Sequence, residues 1–166
     1  MTKAKILRLL AVSGITVIVD QITKLLVAAY IGYGQDIAVI PGFFNLTHVL
    51  NPGGAFGLFA QQGAMVRVMF FLVFSLVAVG LILYLYVGIP ETHPMLANGL
   101  SLIFGGAVGN LIDRVRMGKV IDFLDVYVGD LHWPAFNVAD SAICVGVGIF
   151  MFHILFNRMP EQGKIF

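Results

Sequence analysis

The chain has 166 residues, of which 59% are hydrophobic and 11% are charged, and its mean hydropathy is +0.94. This composition lies far outside that of a soluble domain and predicts a protein of the lipid bilayer. The net charge of +1 and the absence of a basic run argue against a nucleic-acid partner. The single cysteine excludes an internal disulfide, and the apolar run around Cys144 predicts a small buried residue rather than a nucleophile.

Four apolar stretches are each long enough, at roughly 20 residues, to cross a bilayer core. They cover residues 7–29, 68–89, 95–112 and 138–156. The first stretch follows basic residues, as the apolar core of a signal peptide would, but it lacks a cleavage signature. Asp20 and Lys24 interrupt it, four residues apart and therefore on one helical face. We expect a retained first helix in which these two residues form a structural polar pair.

The basic residues beside the spans predict the orientation, because positive flanks tend to stay in the cytoplasm. Four spans place both termini on one side of the membrane. The termini carry Lys3, Lys5, Arg8, Arg158 and Lys164, against Arg67, Arg116 and Lys119 on the opposite side. We therefore expect a multi-pass protein with both termini in the cytoplasm.

The segment of about residues 30–65 then lies outside the cytoplasm, between the first two spans. Its β-branched and aromatic residues predict short strands at the membrane surface, and the sequence NPGGAFG predicts a turn. The expected fold class is a mainly α membrane protein with four transmembrane helices and a small extracytoplasmic β-strand segment between helices 1 and 2. Residues 1–166 should form a single domain.

Polar residues in and beside the spans gather at one depth. A helix rises about 1.5 Å per residue, so these residues all fall in the outer half of the membrane. The set comprises Asp20, Lys24, Asn51, Asn110, Asp113, Arg114, Asp122, Asn137 and Asp140. The spacing of Asn110, Asp113 and Arg114 places them on one helix face. Two roles are possible for Asp113 and Arg114: a structural ion pair, or contact with a substrate. The preceding GGAVGN run predicts close helix packing.

Asp122 and Asp140 differ from the other acids because no basic residue adjoins either one in sequence. Both fall where the chain re-enters the outer leaflet, so they could face each other. Two close carboxyl groups share a single proton, which supplies an acid and a base in one site. The ionised member could activate water while the protonated member donates to a peptide carbonyl. The pair therefore suggests peptide hydrolysis without a metal, a cofactor or a covalent intermediate.

Other chemistries have little support in the sequence. The four histidines show no zinc-site spacing, and Ser141 has no evident base, so metal and serine catalysis are disfavoured. Asp125 and Asp130 are interpreted as solvated loop carboxylates. A proton-coupled small membrane transporter is the main alternative, although its site should lie near the membrane midplane. A structural membrane subunit is a third interpretation, but it would not need so many polar motifs at one depth.

Five sequence blocks, in order, resemble the lipoprotein signal peptidase family (signal peptidase II) over nearly the whole chain. They are DQITK at 20–24, NPGGAFG at 51–57, GGAVGNLIDR at 105–114, VIDF at 120–123 and PAFNVADS at 134–141. The resemblance implies an aspartyl endopeptidase of the bacterial inner membrane, with its active site towards the periplasmic face. Such an enzyme removes the signal peptide from diacylglyceryl-modified prolipoproteins and cuts just before the lipidated cysteine.

The resemblance also implies roles for individual residues. Asp122 and Asp140 become the catalytic pair. The positions that bind substrate or inhibitor, or that support the pair, are Asn51, Gly53, Asn110, Asp113, Arg114 and Asn137. The implied partners are a lipid-modified prolipoprotein, membrane lipid and an inhibitor of the globomycin type. No cofactor or metal is implied, and a monomer suffices because one chain supplies every group.

Overall fold

Four long helices dominate the computed structural model of the chain, which describes residues 1–53 and 63–156. They are α1 (Lys3–Tyr30), α2 (Ala64–Gly88), α3 (Pro94–Met117) and α4 (Val138–Phe156). All four are long and apolar enough to cross a membrane, which confirms the predicted spans. The glycine-rich residues 54–57 and the basic residues Arg158 and Lys164 lie outside the described residues.

Helix α3 extends five residues beyond the span predicted at 95–112. Pro94 at its first turn needs no amide hydrogen, which suits a helix start. At its other end Gly118 adopts a left-handed conformation, with φ of 67°, and its N–H donates to Arg114 O at 2.9 Å. The extension places Asp113 and Arg114 within the helix, and Asp113 forms an ion pair with Lys24 of α1.

Helix α3 is central and packs against each of the other three helices. Glycines make these contacts close, as the GGAVGN run predicted. A Cβ atom placed on Gly105 would lie 2.8 Å from Thr16 Cβ of α1, and one placed on Gly106 would collide with Ala139 O of α4. Small residues on α3 therefore decide how near α1 and α4 approach it.

A four-stranded antiparallel sheet covers one end of the helices. Its strands, in sheet order, are β1 (Asp36–Ile40), β2 (Phe44–Asn51), β3 (Val120–Val128) and β4 (Leu131–His132). The strands predicted between the first two spans are confirmed. The other half of the sheet comes from the connection between α3 and α4, which the sequence did not indicate because the acids in VIDFLDVYV interrupt its apolar pattern.

The two ends of the helix bundle differ. At the sheet end, Val27 of α1 and Ile31, the residue after this helix, pack against Ile121 and Phe123 of β3. At the other end, here called the distal end, the buried Lys5 donates through Nζ to carbonyl oxygens at the end of α2, at 2.7 and 2.8 Å. The start of α1 and the end of α2 therefore lie together, away from the sheet.

Cys144 is exposed, so the prediction that it is buried was wrong. Helix α4 packs through Ala139, Gly146 and His153, which recur every seven residues on one face. Cys144 lies outside this stripe, on the surface that a bilayer would cover. The apolar run around it reflects the lipid environment rather than a protein core.

Asp125 is also placed differently from its prediction. It is a buried residue of β3, where its carboxylate accepts from Asn45 Nδ2 at 3.0 Å and lies 2.8 Å from His132 Nδ1. The His132 ring stacks on Tyr127 at a centroid distance of 4.7 Å. Pairing between β2 and β3 buries this carboxylate, whereas Asp130 in the following turn is exposed as predicted.

Candidate active site

The structure brings Asp122 and Asp140 to opposite sides of one asparagine. Asp122 lies on β3, and Asp140 lies in the first turn of α4. The amide nitrogen of Asn137 donates to Asp122 Oδ1 at 2.7 Å, while its oxygen accepts from the backbone N–H of Asp140 at 2.9 Å. The two acids that the sequence predicted to meet therefore share a buried, uncharged neighbour.

The start of α4 fixes the position of Asp140. Asn137 precedes the helix and accepts from the N–H of Asp140, and the Asp140 carboxylate accepts in return from the Asn137 N–H at 3.3 Å. This reciprocal pattern is a capping box. The sequence NVAD before an apolar run carried the signal for it, and the sequence analysis missed that signal.

Side-chain amides donate to both carboxyl groups. Asn51 Nδ2 donates to Asp122 Oδ2 at 2.9 Å, and Asn110 Nδ2 donates to Asp140 Oδ1 at 2.8 Å. The Asn51 oxygen accepts from the Gly53 N–H at 2.9 Å. Gly53 has φ of 91°, a conformation that favours glycine, so this turn holds the Asn51 amide towards Asp122.

Lys24 forms the centre of the polar network beneath the acids. Its Nζ lies 2.9 Å from Asp20 Oδ2, 2.9 Å from Asp113 Oδ2 and 3.0 Å from Asn110 Oδ1. An ammonium group has three donors, and these three acceptors use all of them. Asp20 and Lys24 are close, as the sequence predicted, but the second carboxylate on Lys24 was not anticipated. Asp113 thus pairs with Lys24, and Arg114 is not its partner.

Asp20 and Asp113 each hold a backbone segment that carries one of the acids. Asp20 Oδ1 accepts from the N–H of Ala139, the residue before Asp140, at 2.9 Å. Asp113 Oδ2 accepts from the N–H of Ile121, the residue before Asp122, at 3.2 Å. The ammonium of Lys24 thereby connects the supports of both acids.

Gln21 is a member of this network that the sequence analysis missed. Its Nε2 lies 3.1 Å from Asp20 Oδ2 and 3.1 Å from Asp113 Oδ1, and it also donates to Gly109 O at 3.2 Å. The adjacent positions of Asp20 and Gln21 in the DQITK block were the available signal.

Arg114 lies at the edge of the site and is partly exposed. Its Nη1 donates to Asn110 O at 3.4 Å, and its guanidinium carbon lies 6.0 Å from the centre of the Phe71 ring of α2. Asn51 and Gly53 are partly exposed as well, and so is Asp140. The site therefore has an open edge that a substrate could contact, and the polar network around Lys24 is buried beneath it.

Burial changes the acidity of Asp122, which is 2% exposed. The pKa of Asp122 is raised from 3.8 to about 6, chiefly by burial and to a smaller extent by the nearby charge of Asp140. The hydrogen bonds from Asn51 and Asn137 oppose this rise because they stabilise the ionised form. A carboxyl group with a pKa near 6 can take up and release a proton close to neutral pH.

Comparisons with a family model and with curated proteins agree on one family. The family model described as Signal peptidase (SPase) II matches residues 12–156. The lipoprotein signal peptidase of Desulforapulum autotrophicum is 53% identical over 97% of this chain and 99% of its own length. The lipoprotein signal peptidase of Syntrophus aciditrophicus is 45% identical over the same shares.

A solved structure of a bacterial membrane enzyme has the same fold. It superposes with a TM-score of 0.78, at 30% identity, over 94% of each chain. A second structure, also of a bacterial membrane enzyme, has a TM-score of 0.77 at 30% identity, over 90% of this chain and 93% of that one. Together with the family match and the spanning helices, these similarities show that the chain is a multi-pass membrane protein that belongs to the signal peptidase II family, the lipoprotein signal peptidases.

Proposed function

We propose that this protein removes signal peptides from diacylglyceryl-modified prolipoproteins, cutting before the lipidated cysteine, with Asp122 and Asp140 as its catalytic pair. The observation that carries the proposal is the placement of two carboxyl groups on either side of Asn137, held by neutral amides. Among the described ion pairs, none joins a cation directly to either carboxyl group. The names of the relatives supply the substrate class.

The pair works with one shared proton. The ionised carboxylate takes a proton from water, and the water oxygen attacks the scissile carbonyl carbon. The protonated carboxyl group donates to the carbonyl oxygen, which gives a neutral tetrahedral diol. Return of a proton to the amide nitrogen then breaks the carbon–nitrogen bond and releases the amino group of the lipidated cysteine. Since the two groups are coupled, the proton belongs to the pair rather than to one residue.

Differences in burial suggest which residues of the site contact the substrate and which position the two acids. Asn51, Gly53 and Arg114 are partly exposed and are proposed to contact the substrate or a globomycin-type inhibitor. The buried residues are proposed to position the acids: Asp20, Lys24, Asn110, Asp113 and Asn137. For Asp113 this burial, together with its bond to Lys24, favours a supporting role over substrate contact.

The proposed orientation places the sheet end towards the periplasm and the distal end towards the cytoplasm of the inner membrane. Asp140 opens α4 and Asp122 lies on β3, so the site is at the ends of the helices rather than at their middle. A lipidated cysteine at the outer membrane surface would meet the acids there. A transporter site should lie near the midplane, and this placement therefore favours the peptidase. Because one chain supplies every group, the proposed active unit is a monomer.

Cleavage of a diacylglyceryl prolipoprotein by the purified protein in detergent tests the proposal. Asp122→Asn and Asp140→Asn should each lower kcat by about a hundredfold to ten-thousandfold, the usual contribution of a general acid or base. The matched control is Asp130→Asn, which changes an exposed acid and should leave kcat unchanged. Globomycin should block the wild type, and the precursor without the lipid should resist cleavage. If either folded variant, Asp122→Asn or Asp140→Asn, retains activity, that aspartate has no part in the mechanism.

A further inference from the structure

The distal end of the bundle contains an apolar cavity that the proposed chemistry does not use. We infer that it receives the amino-terminal end of the substrate's apolar signal segment, which lies as a helix along α3 between α2 and α4. This inference rests on the proposed function and names the part of the substrate that the enzyme binds far from the acids.

The cavity has a volume of about 350 Å³ and is bounded by three helices. Its walls come from α2 and α4, and its floor comes from α3; apolar lining residues include Tyr84, Leu85, Leu96, Leu100, Phe150 and Ile154. Within residues 63–156, α2 and α4 pack against α3, and the backbones of α2 and α4 do not approach each other closely. The space between them is therefore a groove with α3 as its base.

The groove connects the cavity to the acids. Residues at helical spacing of three or four on α3 form one continuous face from the cavity floor to the active site. That face comprises Leu96, Leu100, Phe104, Ala107, Leu111 and Arg114. Five of these residues are partly exposed, and Leu100 alone among them is buried. A long apolar stripe thus leads from the distal cavity to Arg114 at the open edge of the site.

The length of this stripe suits a signal sequence. With a rise of about 1.5 Å per residue, α3 advances about 15 Å from Leu100 to Asn110 and about 21 Å from Leu96 to Asn110. The apolar core of a signal peptide has roughly 7 to 15 residues, which as a helix extends about 10 to 22 Å. A substrate helix near the upper end of this range, with its cleavage point at the acids, would therefore end in the distal cavity. A lipid acyl chain is the competing occupant of the cavity, but its binding would not depend on the distance between the cavity and the acids.

Tryptophan substitutions that fill the cavity test the inference. Leu85→Trp and Ile154→Trp enlarge lining residues that are partly lipid-exposed, so the fold should tolerate them. Kinetics are compared for two lipidated substrates whose apolar cores have about 14 and about 8 residues. For the longer substrate the KM should rise about tenfold with kcat within twofold, while the shorter substrate should show little change. Leu81→Trp is the control, because Leu81 is exposed on α2 and does not line the cavity.

A photo-crosslinker at the amino-terminal end of the longer apolar core gives a second readout. In the Asp122→Asn protein, which should bind without cleaving, crosslinks should map to the cavity residues of α2, α3 and α4. Crosslinks to α1, or equal KM changes for both substrates, would overturn the inference. Loss of a co-purifying lipid from the tryptophan variants without a KM change would assign the cavity to an acyl chain instead. The proposed function fails separately, if the wild type cleaves neither substrate.

Discussion

Asp20 and Ala139 are joined by a hydrogen bond that connects α1 to the first turn of α4, with Asp20 Oδ1 2.9 Å from the Ala139 nitrogen. Ala139 directly precedes Asp140, so a residue of the first span fixes the backbone of a proposed catalytic acid. Asp20 is fully buried and also pairs with Lys24. The bond therefore makes the geometry of the site depend on the packing of α1 against α3 and α4.

Asp20→Ala should lower the free energy of unfolding by about 3 to 5 kcal/mol. The change leaves Lys24 with one carboxylate instead of two and leaves the Ala139 N–H without its acceptor. Thermal unfolding in detergent measures the effect, and kcat should fall more than KM changes because Asp140 loses its backbone support. Asp130→Ala at an exposed turn should stay within about 0.5 kcal/mol of the wild type. Equal stability of the two variants would contradict this account.

Lys24→Met should destabilise the protein more than a double variant in which Asp20 is also replaced by Asn. Without the ammonium group, the carboxylates of Asp20 and Asp113 would face each other in a buried site. Asp20→Asn removes one of these charges and keeps an oxygen that can accept from Ala139. We expect the double variant to unfold at a higher temperature than Lys24→Met alone. A double variant whose loss equals the sum of the two single losses would show that the residues act independently.

Gly109→Ala should disturb the site through a single methyl group. Its Cβ atom would lie 2.6 Å from Asp20 Oδ2, closer than side chains approach one another. Displacement of Asp20 should cost about 1 to 3 kcal/mol, the usual range for overpacking, and reduce cleavage. Gly80→Ala is the matched control on α2, since nothing lies within 4 Å of the added atom. That control should gain about 0.5 to 1 kcal/mol, and an equal response of both variants in thermal unfolding would refute the prediction.

The rate of cleavage should fall as the pH rises above about 6. Burial raises the pKa of Asp122 to about 6, so above this pH the pair loses the single proton that the mechanism requires. A plot of kcat/KM against pH measures the midpoint. Asn51→Ala should move the midpoint to higher pH, because the Asn51 hydrogen bond favours the ionised form. Asn45→Ala removes a comparable bond to Asp125 and should leave the midpoint in place.

The stability of the protein should follow the same titration. The folded pKa of Asp122 is higher than the ordinary value of 3.8, so folding takes up a proton between the two values. The stabilising contribution is therefore complete below about pH 4 and is lost as the pH rises through about 6. Unfolding temperatures measured across this interval should decline for the wild type and decline less for Asp122→Asn. An identical pH dependence in both proteins would exclude Asp122 as the titrating group.

The spans were predictable from the amino-acid sequence alone, and the same sequence indicated a depth for the polar residues and a pair of acids. These features are local: a bilayer requires long apolar stretches, and a charge within them is costly enough to be informative wherever it occurs. The capping box around Asn137 and Asp140 is equally local and could have been recognised from four consecutive residues. Five ordered blocks then sufficed to indicate the family.

The partners of the polar groups became evident only once the chain was folded. Asp20 and Lys24 are close in sequence, but the second carboxylate on Lys24 comes from Asp113, and that contact exists because glycines let α1 and α3 approach closely. The pairing of β2 with β3 buried Asp125, and the packing face of α4 left Cys144 exposed. Partners distant in sequence depend on how whole elements pack, because a side chain's surroundings are set by neighbouring helices and strands rather than by its own segment.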